Sequence, residues 1–245
     1  MISEDVPAAL RRLWRLAEPS RLGRRPTLDV DAVVAEAVRI ADGEGLVAVT
    51  LPNVGKSLGV TGMSLYRYVG SKDELLTLMV DFALGDPPPI TASAWRTALR
   101  EWAQAQRAVL QRHPWATQIP VSGPPAGPHQ IAWMESALAI LARTRLDWAH
   151  KVGVMSLISG YVAQFVRQSS ELAAGRAEGQ AQAAAERAYG QALARLVDAE
   201  RFPQAAQLFS SAVFETPNAP DADVADADFL LGLDLILDGV AQRAA

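Results

Sequence analysis

The stretch Thr50 to Leu76, TLPNVGKSLGVTGMSLYRYVGSKDELL, constrains this chain more than any other. It reads as two short helices joined by a tight turn, then the start of a third. Val54 and Leu58 stand four apart and share one face of the first helix. Gly59 falls at the turn, where a left-handed backbone is cheap only for glycine. Val60 is an apolar plug for the angle between the helices. The second helix covers about Gly62 to Val69, with Leu65 and Val69 inward and Met63, Ser64, Tyr66, Arg67 and Tyr68 largely outside. A small helix that exposes a methionine, two tyrosines and an arginine is built for contact. The spacing is that of a helix-turn-helix, whose second helix enters a DNA major groove. The same pattern also serves as a purely structural corner in helical proteins.

The flanks favour contact with DNA. Ser71-Lys72-Asp73-Glu74 has the form of a capping box, with Ser71 capping a new helix and Glu74 answering three residues later. Lys72 then stands at a helix start whose free N–H groups attract phosphate. Thr50 caps the first helix, with Pro52 in its first turn.

The net charge of −4 does not suggest a nucleic-acid binder, but its distribution does. Arg11, Arg12, Arg15, Arg21, Arg24 and Arg25 face only Glu18 over that stretch, and the acidic excess lies after residue 80. Residues 1–26 are expected to be a basic, flexible arm, either merely solvated or ordered on DNA. With no cysteine, disulfides and thiolate metal sites are excluded. The N-terminus lacks the apolar core of a signal peptide, and the apolar run Val152 to Val166 is too short and too polar for a comfortable membrane span. A cytoplasmic protein without a membrane partner is the expectation.

The fold expected is all-α. Asp29 caps a helix whose apolar stripe is Val30, Val33, Val34, Ala37, Val38 and Ala41, ended by Gly43 and Gly45. The third helix of the opening stretch runs to about Leu84, and Gly85-Asp86-Pro87-Pro88-Pro89 ends the first domain. A domain over 27–84 with its connecting helix therefore precedes a larger helical one over 90–245. There, helices are expected over Ala94–His113, His129–Arg143, about Asp147–Leu172, Leu193–Phe214 in two pieces around Pro203, and Asp226–Ala241. The segment 173–189 fits a loop or a surface helix, and 216–223 a loop. The last helix is apolar nearly all round, which suggests a subunit interface.

No catalytic constellation stands out: there is no phosphate-cradling glycine loop, HExxH or cysteine nucleophile. Asp147 and His150 lie three apart on a helix without the second copy that a dinuclear carboxylate site needs. His113, before Pro114, ends a helix or lines a pocket. Neither cofactor nor metal is expected. Among the outward residues, Met63 suits a thymine methyl and Ser64 a base edge or phosphate, Gly62 permits close approach, and Arg67 reaches guanine or phosphate. In the second domain Trp95, Trp102, Trp115, Trp133, Trp148, Tyr161 and Phe165 either fill a core or line a cavity for an apolar or amphiphilic effector.

The segments AVVAEAVRIADGEGLVAVTL and GKSLGVTGMSLYRYVGSKDELL closely resemble the N-terminal domain of TetR-type (TetR/AcrR) transcriptional regulators, over about a fifth of the chain. Beyond them the likeness is one of length and helical pattern. Pro52 and Asn53 depart from it, since relatives often carry basic residues there. The resemblance implies a homodimeric, ligand-responsive regulator, most simply a repressor that a small molecule releases from a palindromic double-stranded DNA operator. It gives Thr50, Tyr66, Tyr68 and Lys72 the task of holding phosphates. It also implies a pocket between second-domain helices, for which Trp102, Met134, Met155, Tyr161, Gln164 and Phe165 are the candidates. Dimer contacts would come from the long helix and the last helix. The rival reading is a helical carrier or enzyme whose helix-turn-helix is structural.

Overall fold

The computed structural model of the chain describes residues 6–16, 28–121, 123–176, 180–215 and 221–244. All regular structure among the described residues is helical. The chain divides into two compact units, Met1–Val166 with Val240–Ala245, and Arg167–Gly239.

The first unit opens with α1 (Ala8–Leu13), α2 (Val30–Glu44), α3 (Leu51–Ser57), α4 (Gly62–Val69) and α5 (Lys72–Leu84). Side-chain caps set three of these starts. Asp29 accepts from the Ala32 N–H, Thr50 from the Asn53 N–H and Ser71 from the Glu74 N–H. The α2 stripe is buried as its spacing predicts, and Ile40 joins it. It packs with Leu51, Val54, Leu65, Val69, Leu75, Leu78 and Met79 in one apolar core. Glu36 on α2 accepts from Arg39 and from the Ser57 hydroxyl at the end of α3. Those bonds, the Arg39 one first, hold its carboxyl below the ordinary glutamate range.

Between α3 and α4 the chain turns at Gly59, at φ +70°, and the Val60 N–H donates to the Gly55 carbonyl at 2.8 Å. The two backbones nearly touch. A Cβ on Gly55 would stand 2.8 Å from the Gly62 nitrogen, and one on Gly62 2.9 Å from the Pro52 nitrogen. The close approach at Gly62 is thus to the protein's own α3.

Two large groups from distant sequence complete this core, Leu13 of α1 and Trp115 of a 3-10 turn over Pro114–Gln118. Both correct the sequence-based expectation. Residues 8–13 form a docked helix, because Leu13 and half-buried Leu10 give them an apolar edge. Arg21, Arg24 and Arg25 lie outside the described residues. Trp115, expected among second-domain aromatics, is 2% exposed within the N-terminal core.

The first unit continues through α6 (Trp95–Arg112), α7 (Pro128–Leu141) and the start of α8 (Trp148–Gly175). The second unit includes α9 (Gln182–Leu196), α10 (Pro203–Phe209) and most of α11 (Asp221–Ala244). The two pieces expected around Pro203 are α9 and α10, and Pro203 opens the second, where its missing N–H costs nothing. Tyr189, Phe209 and Phe214 form an aromatic triad with centroids 5.4–5.8 Å apart. Gly190 is buried under the Phe214 ring, where a Cβ would approach to 2.6 Å. Helix α11 begins earlier than expected, at Asp221, and buries Phe229, Leu233, Leu237 and Val240 while exposing Leu231 and Leu235. Among the described residues, no helix is long and apolar enough to cross a membrane.

Candidate nucleic-acid interface

Helix α4 is seated by Leu65 and Val69, both fully buried, and its other face is turned outward. Met63 is 77% exposed and Tyr66 46%. Ser64 is half-buried; its hydroxyl donates to the Thr61 carbonyl at 2.7 Å and keeps its lone pairs for an incoming donor. Arg67 is exposed but turns along its own helix. Its guanidinium lies 4.6 Å from the Tyr68 ring centroid and donates to the Tyr68 hydroxyl at 2.6 Å. Tyr68 itself packs partly against the core. Lys72 is exposed at the first position of α5, while the Thr50 hydroxyl is engaged in its cap.

The turn after α4 is tight. Gly70 has φ +68° and ψ −57°, and the Ser71 N–H donates to the Val69 carbonyl at 2.7 Å, which closes a γ-turn. Over this turn lies a doubly bonded ion pair between Arg12 and Glu74. The capping box is therefore only half made. Ser71 caps as expected, but the Glu74 carboxylate is taken by α1. Arg15 pairs with Asp31 of α2 at 2.6 Å, and the Trp14 indole N–H donates to the Ala126 carbonyl at 2.8 Å.

Three groups, the carboxylates of Asp42 and Asp81 and the Gly85 carbonyl, tie the N-terminal helices to the end of α6 and to α7. Asp42 of α2 accepts from the Trp115 indole at 2.6 Å and lies 2.7 Å from Nδ1 of His113. Buried Asp81 of α5 accepts from the Gln130 N–H at 3.0 Å and lies 3.1 Å from Nδ1 of His129. Asp81 so serves as the cap of α7, and the side chain fills the space a Cβ on Gly127 would need. The Trp133 indole donates to the Gly85 carbonyl at 2.9 Å.

Five of the six effector candidates are buried or half-buried. Trp102 is buried edge-on to Trp133, 6.2 Å between centroids, with its N–H on the Trp133 carbonyl. Tyr161 and Phe165 pair at 6.0 Å, and the buried Arg107 guanidinium lies 5.3 Å from the Phe165 ring. Met155 is buried and Met134 half-buried. Gln164 departs from the pocket expectation: it is exposed, because its seven-residue spacing from Leu157 puts both on the outer stripe of α8. A groove of about 840 Å³ lies beside Leu84, Gly85, Arg112, His113 and Trp133, and none of the six candidates lines it. Asp147 caps the start of α8 by accepting the His150 N–H, which lowers its pKa. Among the described residues no group of three or more metal-ligating side chains occurs.

Sequence reasoning passed over the pairing of Arg12, the parts played by Asp81 and Arg107, and the seat of Trp115. Each acts through a partner remote in the chain, so no local pattern marks it.

A helix-turn-helix that presents its second helix, joined through α5 to a larger helical body, defines a one-component regulator. The chain belongs to the TetR family of ligand-responsive, DNA-binding transcriptional regulators. The family model for the tetracyclin repressor-like C-terminal domain matches residues 88–244. The chain is 36% identical to the HTH-type transcriptional repressor DrrR1 of Streptomyces coeruleorubidus over 249 residues, 98% of this chain and 89% of that protein. Its fold is similar to that of the Streptomyces coelicolor TetR family protein ActR in complex with actinorhodin. There the TM-score is 0.74 at 25% identity, over 89% of this chain and 98% of that one. Apo ActR from the same organism gives 0.71 at 25% identity, over 90% and 100%. Membership decides against the carrier or enzyme reading.

Proposed function

We propose that the chain is a repressor that binds a palindromic operator as a homodimer and leaves it when a small molecule binds. The outer face of α4 carries this reading: Met63, Tyr66 and Arg67 face solvent while Leu65 and Val69 hold the helix in the core. Met63 and Ser64 meet base edges, the thioether against a thymine methyl and the hydroxyl against a polar edge. Thr50, Tyr66, Arg67, Tyr68 and Lys72 hold the backbone and set register. Gly62 lets the start of α4 lie close on α3. Similarity to a protein named as a repressor supports repression over activation.

The effector is a small, largely apolar molecule with a polar edge. Trp102, Met134, Met155, Tyr161 and Phe165 supply apolar and aromatic surface, and Arg107 supplies a cation beside it. The complex of ActR, a protein of similar fold, with actinorhodin supports a small-molecule effector. Helix α5 transmits the response, since its far end is fastened to α7 through Asp81 and to Trp133 through Gly85. Effector and operator then weaken each other's binding by one common factor. A protein that reads an operator works where the DNA is held, which agrees with a cytoplasmic location.

Selection of bound duplexes from a random pool tests this reading. The expected result is an enriched palindrome with half-sites about one helical turn apart. Enrichment of no sequence at low salt would refute it.

A further inference from the structure

We propose that α1 carries an additional backbone-phosphate site of the reading head, a groove in which Arg11 and Arg15 stand with Arg67 and Tyr68 of α4. The inference rests on the DNA-binding reading and extends the footprint beyond the helix-turn-helix. The groove encloses about 520 Å³. Its lining includes Arg11, Arg12, Arg15 and Arg67 together with the acids Asp29 and Asp31.

Both carboxylates are already engaged. Asp29 accepts the Ala32 N–H at the start of α2, and Asp31 pairs with Arg15 at 2.6 Å. The Arg15–Asp31 pair is exposed and contributes little, so Arg15 trades it for a phosphate while its Nη1 keeps its bonds to the Arg12 and Leu13 carbonyls. Arg12 has a different task, since its two bonds to Glu74 fasten α1 to the first turn of α5. Tyr68 adds a donor: its oxygen accepts from Arg67, which leaves its own proton for a phosphate oxygen.

Position on the reading helix selects the occupant. Recognition helices present their N-terminal residues to base edges. Arg67 and Tyr68 belong to the last turn of α4, away from Met63 and Ser64. The anion that fits between them and α1 is a phosphate flanking the bases that α4 reads, held by charge-assisted guanidinium bonds.

The test uses the full chain and a duplex that the wild type selects. Arg11→Ala with Arg15→Ala is expected to bind about tenfold more weakly at moderate salt. Its log-affinity against log-salt plot should be shallower by about 1–2, with base preference unchanged. Arg11→Lys with Arg15→Lys keeps the charge and is expected to keep the wild-type slope. In a second arm, single phosphates flanking the half-site are replaced by neutral methylphosphonates. The wild type should weaken at one such position, and the double alanine variant should be indifferent there. An alanine variant that melts like the wild type and binds with unchanged affinity and slope overturns the inference. So does a wild type that tolerates a neutral phosphate at every flanking position, a measurement that needs no variant to fold. A wild type that selects no duplex instead refutes DNA binding itself, and that result precedes the others.

Discussion

Gly70 joins the reading helix to α5 through a γ-turn with positive φ, and the Arg12–Glu74 ion pair lies over it. An added Cβ meets two obstacles. The backbone angles, φ +68° and ψ −57°, suit glycine alone, and the new carbon would stand 2.2 Å from a Glu74 carboxylate oxygen and 2.7 Å from Nη2 of Arg12. Gly70→Ala is expected to lower stability by about 1–3 kcal/mol, the usual range for a side chain forced into such a conformation. Chemical denaturation followed by circular dichroism measures it; a variant as stable as the wild type would show that the turn and the ion pair relax freely. The caps were legible residue by residue. Asp29, Thr50 and Ser71 each accept from the N–H three residues on, an interaction that short sequence patterns encode. Glu74 followed the same pattern and went elsewhere, because Arg12, 62 residues away, offers its carboxylate two charged donors. A sequence window holds no trace of that competitor.

At the scale of elements, the helices α2 to α5 were legible because spacing and caps are both local; the expected span of α4 is the observed one. What eluded the sequence is how short pieces from elsewhere close the N-terminal core. The 3-10 turn over Pro114–Gln118 sends Trp115 into that core and bonds its indole to Asp42 of α2, 73 positions back. His113, at the end of α6, lies against the same carboxylate with its ring 5.9 Å from that of Trp115. This small element therefore fastens α6 to the reading helices. Trp115→Ala is expected to cost about 3–5 kcal/mol of unfolding free energy, as for other large aromatics emptied from a core. Trp115→Phe keeps most of the volume, loses only the bond to Asp42, and should cost about 0.5–1.5 kcal/mol. Denaturant midpoints separate the two; equal losses would mean that the hydrogen bond, not the packing, holds the turn in place.

Across the whole molecule, the helical plan of the second region followed from periodicity, but the roles of its faces did not. Trp102 and Gln164 both lie on long helices, yet one is buried against Trp133 and the other is exposed. Such differences depend on neighbours that no spacing specifies. The last helix is the clearest case. Its apolar character all round resolves into one face sunk in the protein, with Phe229, Leu233 and Leu237, and another carrying Leu231 and Leu235 at 66% and 67% exposure. Helix α8 likewise exposes Val152 and Leu157 beside Gly153 and Gly160. Leucines in solvent at that exposure are a liability for a monomer and an asset for a two-fold interface, where each contact occurs twice. Leu231→Glu with Leu235→Glu on α11 is expected to leave the protomer folded, since neither side chain is part of its core, and to shift sedimentation equilibrium to the monomer. Two half-sites read by one dimer gain from effective concentration, so the variant should bind the full palindrome about 10²–10⁴-fold more weakly. Its affinity for an isolated half-site should match that of the wild type. A variant that stays dimeric and binds the palindrome normally would place the subunit contact on another surface. One that stays dimeric but loses the half-site would show that these leucines support the reading head rather than the pairing of subunits.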